Sequence, residues 1–454
     1  MKNTITTYNP YNSAQLEKYE CFSSKKIQSV LKNAQSTFQD WKFVTLKERT
    51  KLLSSLGDIL NKNIDKYSRL ITLEMGKPIT ESRAEIEKCI VLCDFYEKNA
   101  EKFLADQLIE TDAHESFISY DPLGVILAIM PWNYPFWQVF RFAVPTLTAG
   151  NTALLKHASN VTGCAVAIQD CFEQAGYPIG CFQTVLTDHE CIENLIQDDI
   201  IKAVSLTGSE KAGISIANTA SKVLKKSVLE LGGNNACIVL DDADLNKHLN
   251  TMVTARFQNS GQSCIAAKRF IVTEGIYDEF LKQFKLKVEK LKYDNPIKKT
   301  TETSVLARKD LAKVLQNQVE ASIKKGATVV LGNRRDNAYF SPTILVDVTE
   351  DMEVFKEETF GPVAAITKAN DLKHAIELAS NSRYGLGTML FTEDIESARQ
   401  EIGNINDGAY FINAMVKSDS RLPFGGTKAS GYGRELSKEG ILEFVNIKTV
   451  YINK

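Results

Sequence analysis

Ile27, Val30, Leu31, Ala34 and Phe38 recur at the three- and four-residue spacing of a single helix face, and Leu52, Leu53, Leu56, Ile59 and Leu60 repeat the pattern. The spacing predicts helices through residues 25–105. The texture then changes in "SFISYDPLGVILAIMPWNY". Phe117, Ile118 and Tyr120 alternate as in a strand, Pro122 and Gly124 mark a turn, and Val125 to Met130 form an unbroken apolar run, as in a buried strand.

From there strand and helix alternate. "TALLKHA" reads as a strand and "VTGCAVAIQDCFEQAG" as a helix that stops at Gly176. "CFQTVLT" and "IKAVSLTG" are further strands, "EKAGISIANTASKVLKK" is a helix, and "SVLELGG" and "NACIVL" are strands again. This alternation predicts an α/β fold built on a doubly wound parallel sheet, and residues 265–440 repeat it as a second such region. The last apolar run, "FVNIKTVYI", is a strand with no local partner, so it pairs with a distant segment or with another subunit.

A chain of 454 residues exceeds one compact core and implies two or three domains. Its net charge of −2 offers no electrostatic footprint for nucleic acid or a membrane surface, and runs such as Lys222–Lys226 read as solvated helix faces. Nine cysteines, with no C-x-x-C pair, suit a reducing compartment. Cys89 and Cys93, one helical turn apart, suit packing, and the five histidines form no ligand pair, so no metal site is expected. The amino-terminal "MKNTITTYNPYNSAQ" has no apolar core of a signal peptide, and Val125–Met130 is far too short to span a bilayer, so a cytoplasmic protein is expected.

Several motifs carry candidate chemistry. In "FQNSGQSCIAAKRF", Cys264 follows five small or polar residues, a turn-like setting unlike that of a core thiol. Alone it reads equally well as a half-exposed spectator. In "VLELGGNNACIVL", Glu230 sits among apolar neighbours at a strand end, where burial can raise its pKa into the range of a general base; a structural salt bridge is the competing reading. Asn133, in the proline-bracketed "PWNYP", is placed to donate to a developing oxyanion or is only a turn residue. Gly208 and Ser209 in "LTGSEKAG" open a helix whose free amides suit phosphate, though the segment is not G-x-G-x-x-G.

Together, "PWNYP", "LTGSEKAG", "LELGG", "GQSC", "EETFGPV" and "PFGGTKASGYGRE" resemble, in order and over essentially the whole chain, the aldehyde dehydrogenase superfamily. The resemblance implies a Rossmann-like cofactor domain over residues 1–106 and 125–231 and a catalytic domain over 232–438. A small oligomerisation flap over 107–124 and 439–454 would pair the last strand with a neighbouring subunit of a homodimer or homotetramer. It also implies roles: Cys264 as nucleophile, Glu230 as base for thioester hydrolysis, and Asn133 with the Cys264 amide as oxyanion hole. Lys156 and Glu358 would hold the ribose rings of NAD or NADP, Gly208 and Ser209 its phosphates, and Trp132, Leu231, Gly232 and Phe360 would flank it. Coenzyme-A acylation would not need the base, so Glu230 favours release of the free acid.

Arg141 resembles the residue with which the short bacterial succinate-semialdehyde dehydrogenases grip the substrate's distal carboxylate. Better-known members of that branch carry a second arginine where this chain has Gln258, so Arg421 of "KSDSRLP" is expected to reach the pocket instead. Ser159 stands where members strict for NAD often have glutamate, so both coenzymes are expected. The alternatives are a broad-specificity aldehyde dehydrogenase with Arg141 turned outward and a non-catalytic family member; the second conflicts with the presence of both Cys264 and Glu230.

Overall fold

The computed structural model describes residues 4–188 and 191–454; Met1–Asn3, at the head of the amino-terminal stretch, lie outside the described residues. The early helical region resolves into helices Ser24–Trp41, Leu46–Lys62, Ile64–Met75 and Ile79–Leu104. Of the apolar positions read from the spacing, Ile27, Val30, Leu31, Ala34, Phe38, Leu53, Leu56 and Leu60 are buried, and Leu52 and Ile59 are partly so. A polar hairpin, Thr4–Tyr8 with Gln15–Glu20, precedes them. Cys89 and Cys93 are wholly buried on the face of the fourth helix.

Two sheets organise the rest. The first has six strands, with Val125–Met130 at its centre between Ile201–Thr207 and Thr152–His157, all parallel. Helices on both faces leave Val125–Met130 little water contact, which is why it reads as a continuous apolar run. Lys226–Glu230 lies beyond Ile201–Thr207, and the short strand Gly431–Tyr432 closes that edge antiparallel to it. The second sheet has seven strands, parallel apart from the edge pair Thr328–Leu331 and Thr343–Val346; Ala236–Val239 lies between Arg269–Thr273 and Thr388–Phe391.

The chain leaves the first sheet at Glu230 and enters the second at Ala236, so residues 231–235 bridge the two. Ligands of open parallel sheets bind beyond the carboxyl ends of the strands. This bridge starts at one such end.

The last strand finds a distant partner within the chain. Val445–Ile452 pairs antiparallel with Glu115–Pro122 of its own chain over eight residues, from Val445 opposite Pro122 to Ile452 opposite Glu115. Gln107–Leu108 flanks the far side of Glu115–Pro122, making a separate three-stranded sheet. One edge of the strand thus pairs with the distant segment, one of the two partners the sequence left open, and its other edge is the open margin of the three-stranded sheet. No helix among the described residues is long and apolar enough to cross a membrane.

Candidate active site

The loop carrying Cys264 is held in an unusual backbone conformation. After helix Leu245–Phe257 ends, Asn259, Ser260 and Gly261 have φ of 54°, 51° and 73°. Non-glycine residues rarely adopt this left-handed region and keep it only when their surroundings impose it. Here the wholly buried Arg256 imposes it. Its guanidinium donates to the carbonyls of Gly261 at 3.0 Å, Ala267 at 3.2 Å and Thr359 at 3.3 Å, and also to that of Gly361. Asn259 Nδ2 donates to the Asn133 carbonyl at 2.9 Å, and Gln262 Oε1 accepts the Ala307 amide at 2.9 Å. Lys268 Nζ, also fully buried, donates to the Ser263 carbonyl at 2.8 Å and the Cys264 carbonyl at 2.7 Å.

Cys264 lies where two cavities meet and lines both. The smaller, about 230 Å³, also takes Trp137, Arg141, Gln258, Ile265, Ser418 and Phe424 in its wall. The larger, about 410 Å³, is lined by Trp132, Asn133, Lys156, Gly208, Ser209, Leu231, Gly232, Glu358 and Phe360, along with Cys264. Nine residues expected around a cofactor or an oxyanion thus share one cleft with the thiol, and Arg141 and Gln258 share the other with it. Asn133 Nδ2 donates to the Gln262 carbonyl at 3.2 Å, which leaves its second proton. The Cys264 amide has no acceptor among the described residues.

Three expected residues are placed differently. Arg421 does not enter the smaller cavity. Its side chain is 74% exposed and forms a two-pronged pair with Asp419, Nε to Oδ1 at 2.8 Å and Nη2 to Oδ2 at 2.7 Å. An exposed guanidinium already matched to a carboxylate has no reason to turn inward, so its expected role is corrected. Ser159 is exposed and lines a third cavity of about 560 Å³, which shares Arg308 with the larger cleft. Glu230 lines neither of the two cavities at Cys264. It is buried beside Gly425, where a side chain would begin only 2.8 Å from Glu230 Oε1, and that oxygen has no hydrogen-bond partner.

The charges follow from burial. Desolvation pushes the Cys264 thiol up to about 11, against the pull of Arg141 and Lys268. Desolvation, then repulsion from Glu435, holds Glu230 well above the usual carboxylate range, with Arg141 and Arg434 opposing. Arg141 forms an ion pair with Glu435, both buried, and its guanidinium stacks 4.6 Å from the Phe424 ring centre. Burial lowers Lys156 to about 8 and Lys268 to about 8.

The larger cleft fits a dinucleotide. Helix Glu210–Lys222 starts there, with Ser209 as its cap accepting the Ala212 amide at 3.3 Å, so its first-turn amides face a phosphate-sized space. At Gly232 a Cβ would fall 2.6 Å from Glu358 Oε2, so only glycine lets the backbone pass beneath that carboxylate. Glu358 accepts the Gly233 amide at 3.0 Å and faces Lys268 at 3.4 Å. Lys156 as donor and Glu358 as acceptor suit sugar hydroxyls, and Trp132 with Phe360, edge-on at 5.7 Å, forms an aromatic wall. Arg256 and Lys268, on which the loop depends, were not singled out from the sequence. The signal was available: two cations bracket a stretch of small residues.

The sequence model of the Aldehyde dehydrogenase family matches residues 1–450. The chain is 47% identical, over 99% of both chains, to a protein of Synechocystis named as a probable NADP+-dependent succinate-semialdehyde dehydrogenase. It is 43% identical, over 98% of this chain and 96% of the other, to an Escherichia coli succinate semialdehyde dehydrogenase using NAD(P)+. The crystal structure of succinic semialdehyde dehydrogenase from Streptococcus pyogenes with NADP+ superposes with a TM-score of 0.97, at 34% identity, covering 99% of this chain and 100% of that one.

Proposed function

We propose that this chain, which belongs to the aldehyde dehydrogenase family, oxidises succinate semialdehyde to succinate with either NAD or NADP. The observation that carries the reading is Cys264 lining both a cleft that fits a dinucleotide and a smaller cavity whose wall also holds Arg141. The names of the Synechocystis and Escherichia coli relatives support the substrate and both coenzymes.

In this reading the Cys264 thiolate attacks the aldehyde carbon. Asn133 Nδ2 and the Cys264 amide donate to the oxygen as it becomes negative. The nicotinamide supplies the hydride acceptor when bound. The thioester left on Cys264 is cleaved by water, and Glu230 takes the proton of that water. The role requires the carboxylate of Glu230 to be ionised and to turn from Gly425 toward the sulfur. Lys156, Glu358, Gly208 and Ser209 hold the dinucleotide, with Trp132, Leu231, Gly232 and Phe360 as walls. Ser159, exposed and carrying no negative charge, leaves room for a 2′-phosphate.

We assign residues 1–106 and 125–231 to cofactor binding, 232–438 to catalysis, and 107–124 with 439–454 to a flap serving a cytoplasmic homo-oligomer. Nine cysteines with no C-x-x-C pair suit such a reducing setting. The test is kcat/KM for succinate semialdehyde against butanal and hexanal with each coenzyme. Preference for the carboxylate-bearing aldehyde is expected; equal kcat/KM for all three would overturn the substrate assignment.

A further inference from the structure

The carboxylate-binding end of the smaller cavity lacks a second arginine, since Gln258 is neutral and Arg421 lies outside. Its remaining arginine is already balanced, because Arg141 and Glu435 pair in a buried contact. A dicarboxylate-like substrate would meet little net positive charge if these were the only groups present. Lys88 changes this. It comes from the middle of helix Ile79–Leu104 and lines the same cavity as Cys264. Its ammonium lies 4.1 Å from the Trp137 ring centre and donates to Ser418 Oγ at 2.6 Å.

Three carboxylates lie near Lys88, and each has a partner: Glu81, which also lines the cavity, accepts the Asn259 amide at 2.7 Å. Glu85, one turn earlier, pairs with Lys77 and accepts the amides of Phe136 at 2.8 Å and Trp137 at 3.0 Å, where it caps the next helix. Asp419 is held by Arg421. Among the described residues no carboxylate lies within ion-pair distance of Lys88. Ser418 Oγ meanwhile accepts two donors, Lys88 and Trp137 Nε1 at 3.0 Å, so its own proton is free to be donated. Lys88 keeps two further N–H groups. Lys88, which burial and then Arg141 lower to about 8, and Ser418 therefore present donors and, at neutral pH, a positive charge, the complement of a carboxylate.

Resting on the succinate-semialdehyde reading above, we propose that Lys88, with Ser418, binds the distal carboxylate of the substrate and supplies the charge that Arg141 gives to Glu435. Arg141 then contributes a positioning edge rather than the principal charge.

The experiment compares wild type, Lys88→Met, Lys88→Arg and Ser418→Ala. The readout is the ratio of kcat/KM for succinate semialdehyde to that for butanal, with calorimetric titration of succinate into each protein. A charge-assisted contact of this kind predicts a ratio about 10- to 100-fold lower in Lys88→Met, weaker succinate binding, and substantial recovery of both in Lys88→Arg. Ser418→Ala should lower the ratio less. If wild type shows no preference for the carboxylate-bearing aldehyde, the substrate reading falls and this proposal with it. If wild type shows the preference and Lys88→Met keeps it with undiminished succinate binding, only the role of Lys88 is overturned. Should Lys88→Met fail to fold, Lys88→Arg and Ser418→Ala decide: an unaltered ratio in Ser418→Ala together with a collapsed one in Lys88→Arg would also overturn it.

Discussion

The buried ammonium of Lys268 donates to the backbone carbonyl of Cys264 at 2.7 Å and faces Glu358, a wall of the dinucleotide cleft, at 3.4 Å. One cation thus ties the main chain of the proposed nucleophile to the wall of the dinucleotide cleft. Lys268→Met should remove that tie and a charge that favours the thiolate. We expect slower alkylation of Cys264 by iodoacetamide at pH 8 and a lower kcat. An alkylation rate equal to wild type would show that Lys268 does not act on the sulfur.

The resting thiol is pushed up to about 11 by burial. Below that pH the sulfur is mainly protonated, and the reactive thiolate fraction grows about tenfold per pH unit until the pKa is reached. The alkylation rate of coenzyme-free protein should therefore climb steadily from pH 7 to pH 10. A plateau near pH 8 would contradict the assignment. Arg141→Ala, which removes a charge that pulls the pKa down, should slow alkylation at each pH.

Asn133→Ala should lower kcat by about 10²- to 10³-fold, the usual cost of one oxyanion donor. The fold should survive, because Asn259 Nδ2 also donates to the Gln262 carbonyl, at 3.2 Å, and keeps the loop anchored. Circular dichroism and steady-state kinetics measure the two effects separately. Near-normal turnover would remove Asn133 from the oxyanion hole.

Glu230→Gln should separate the two halves of the reaction. A burst of reduced coenzyme, about one per active site, should persist, followed by slow steady-state turnover and an acyl group on Cys264 detectable by intact-protein mass spectrometry. Gly425→Ala should weaken the same step, since the new methyl would stand 2.7 Å from the Gly433 carbonyl and 2.8 Å from Glu230 Oε1. Fast steady-state turnover in Glu230→Gln would place the base elsewhere.

Ser159→Glu tests coenzyme choice. Its exposed position can carry a carboxylate without a burial cost. The kcat/KM for NADP should fall relative to NAD by tenfold or more. An unchanged ratio would mean that Ser159, which lines the neighbouring cavity, stays clear of the 2′-phosphate.

The strands of both parallel sheets were legible because burial on two faces writes itself as runs such as Val125–Met130. The cofactor and nucleophile motifs were legible because each is a local strand–turn segment. The amino-terminal hairpin was not: Thr4–Tyr8 and Gln15–Glu20 are largely polar and half exposed, so they carry no apolar period. Nor was the placement of Lys88, which looks like any solvated helix lysine until Ser418, 330 residues away, is brought against it. The Arg141–Glu435 pair is equally invisible in one dimension. Arg421 misled because sequence proximity to the pocket segment does not reveal a matched acid two residues before it.

Cys264 and Gln138 belong to the walls of both chambers. In the proposed reaction an acyl group on Cys264 would therefore sit at the junction of the two. A bivalent inhibitor threaded through this doorway would have to bend around the sulfur, which makes the middle of such a molecule, and not its tip, the place for an electrophile.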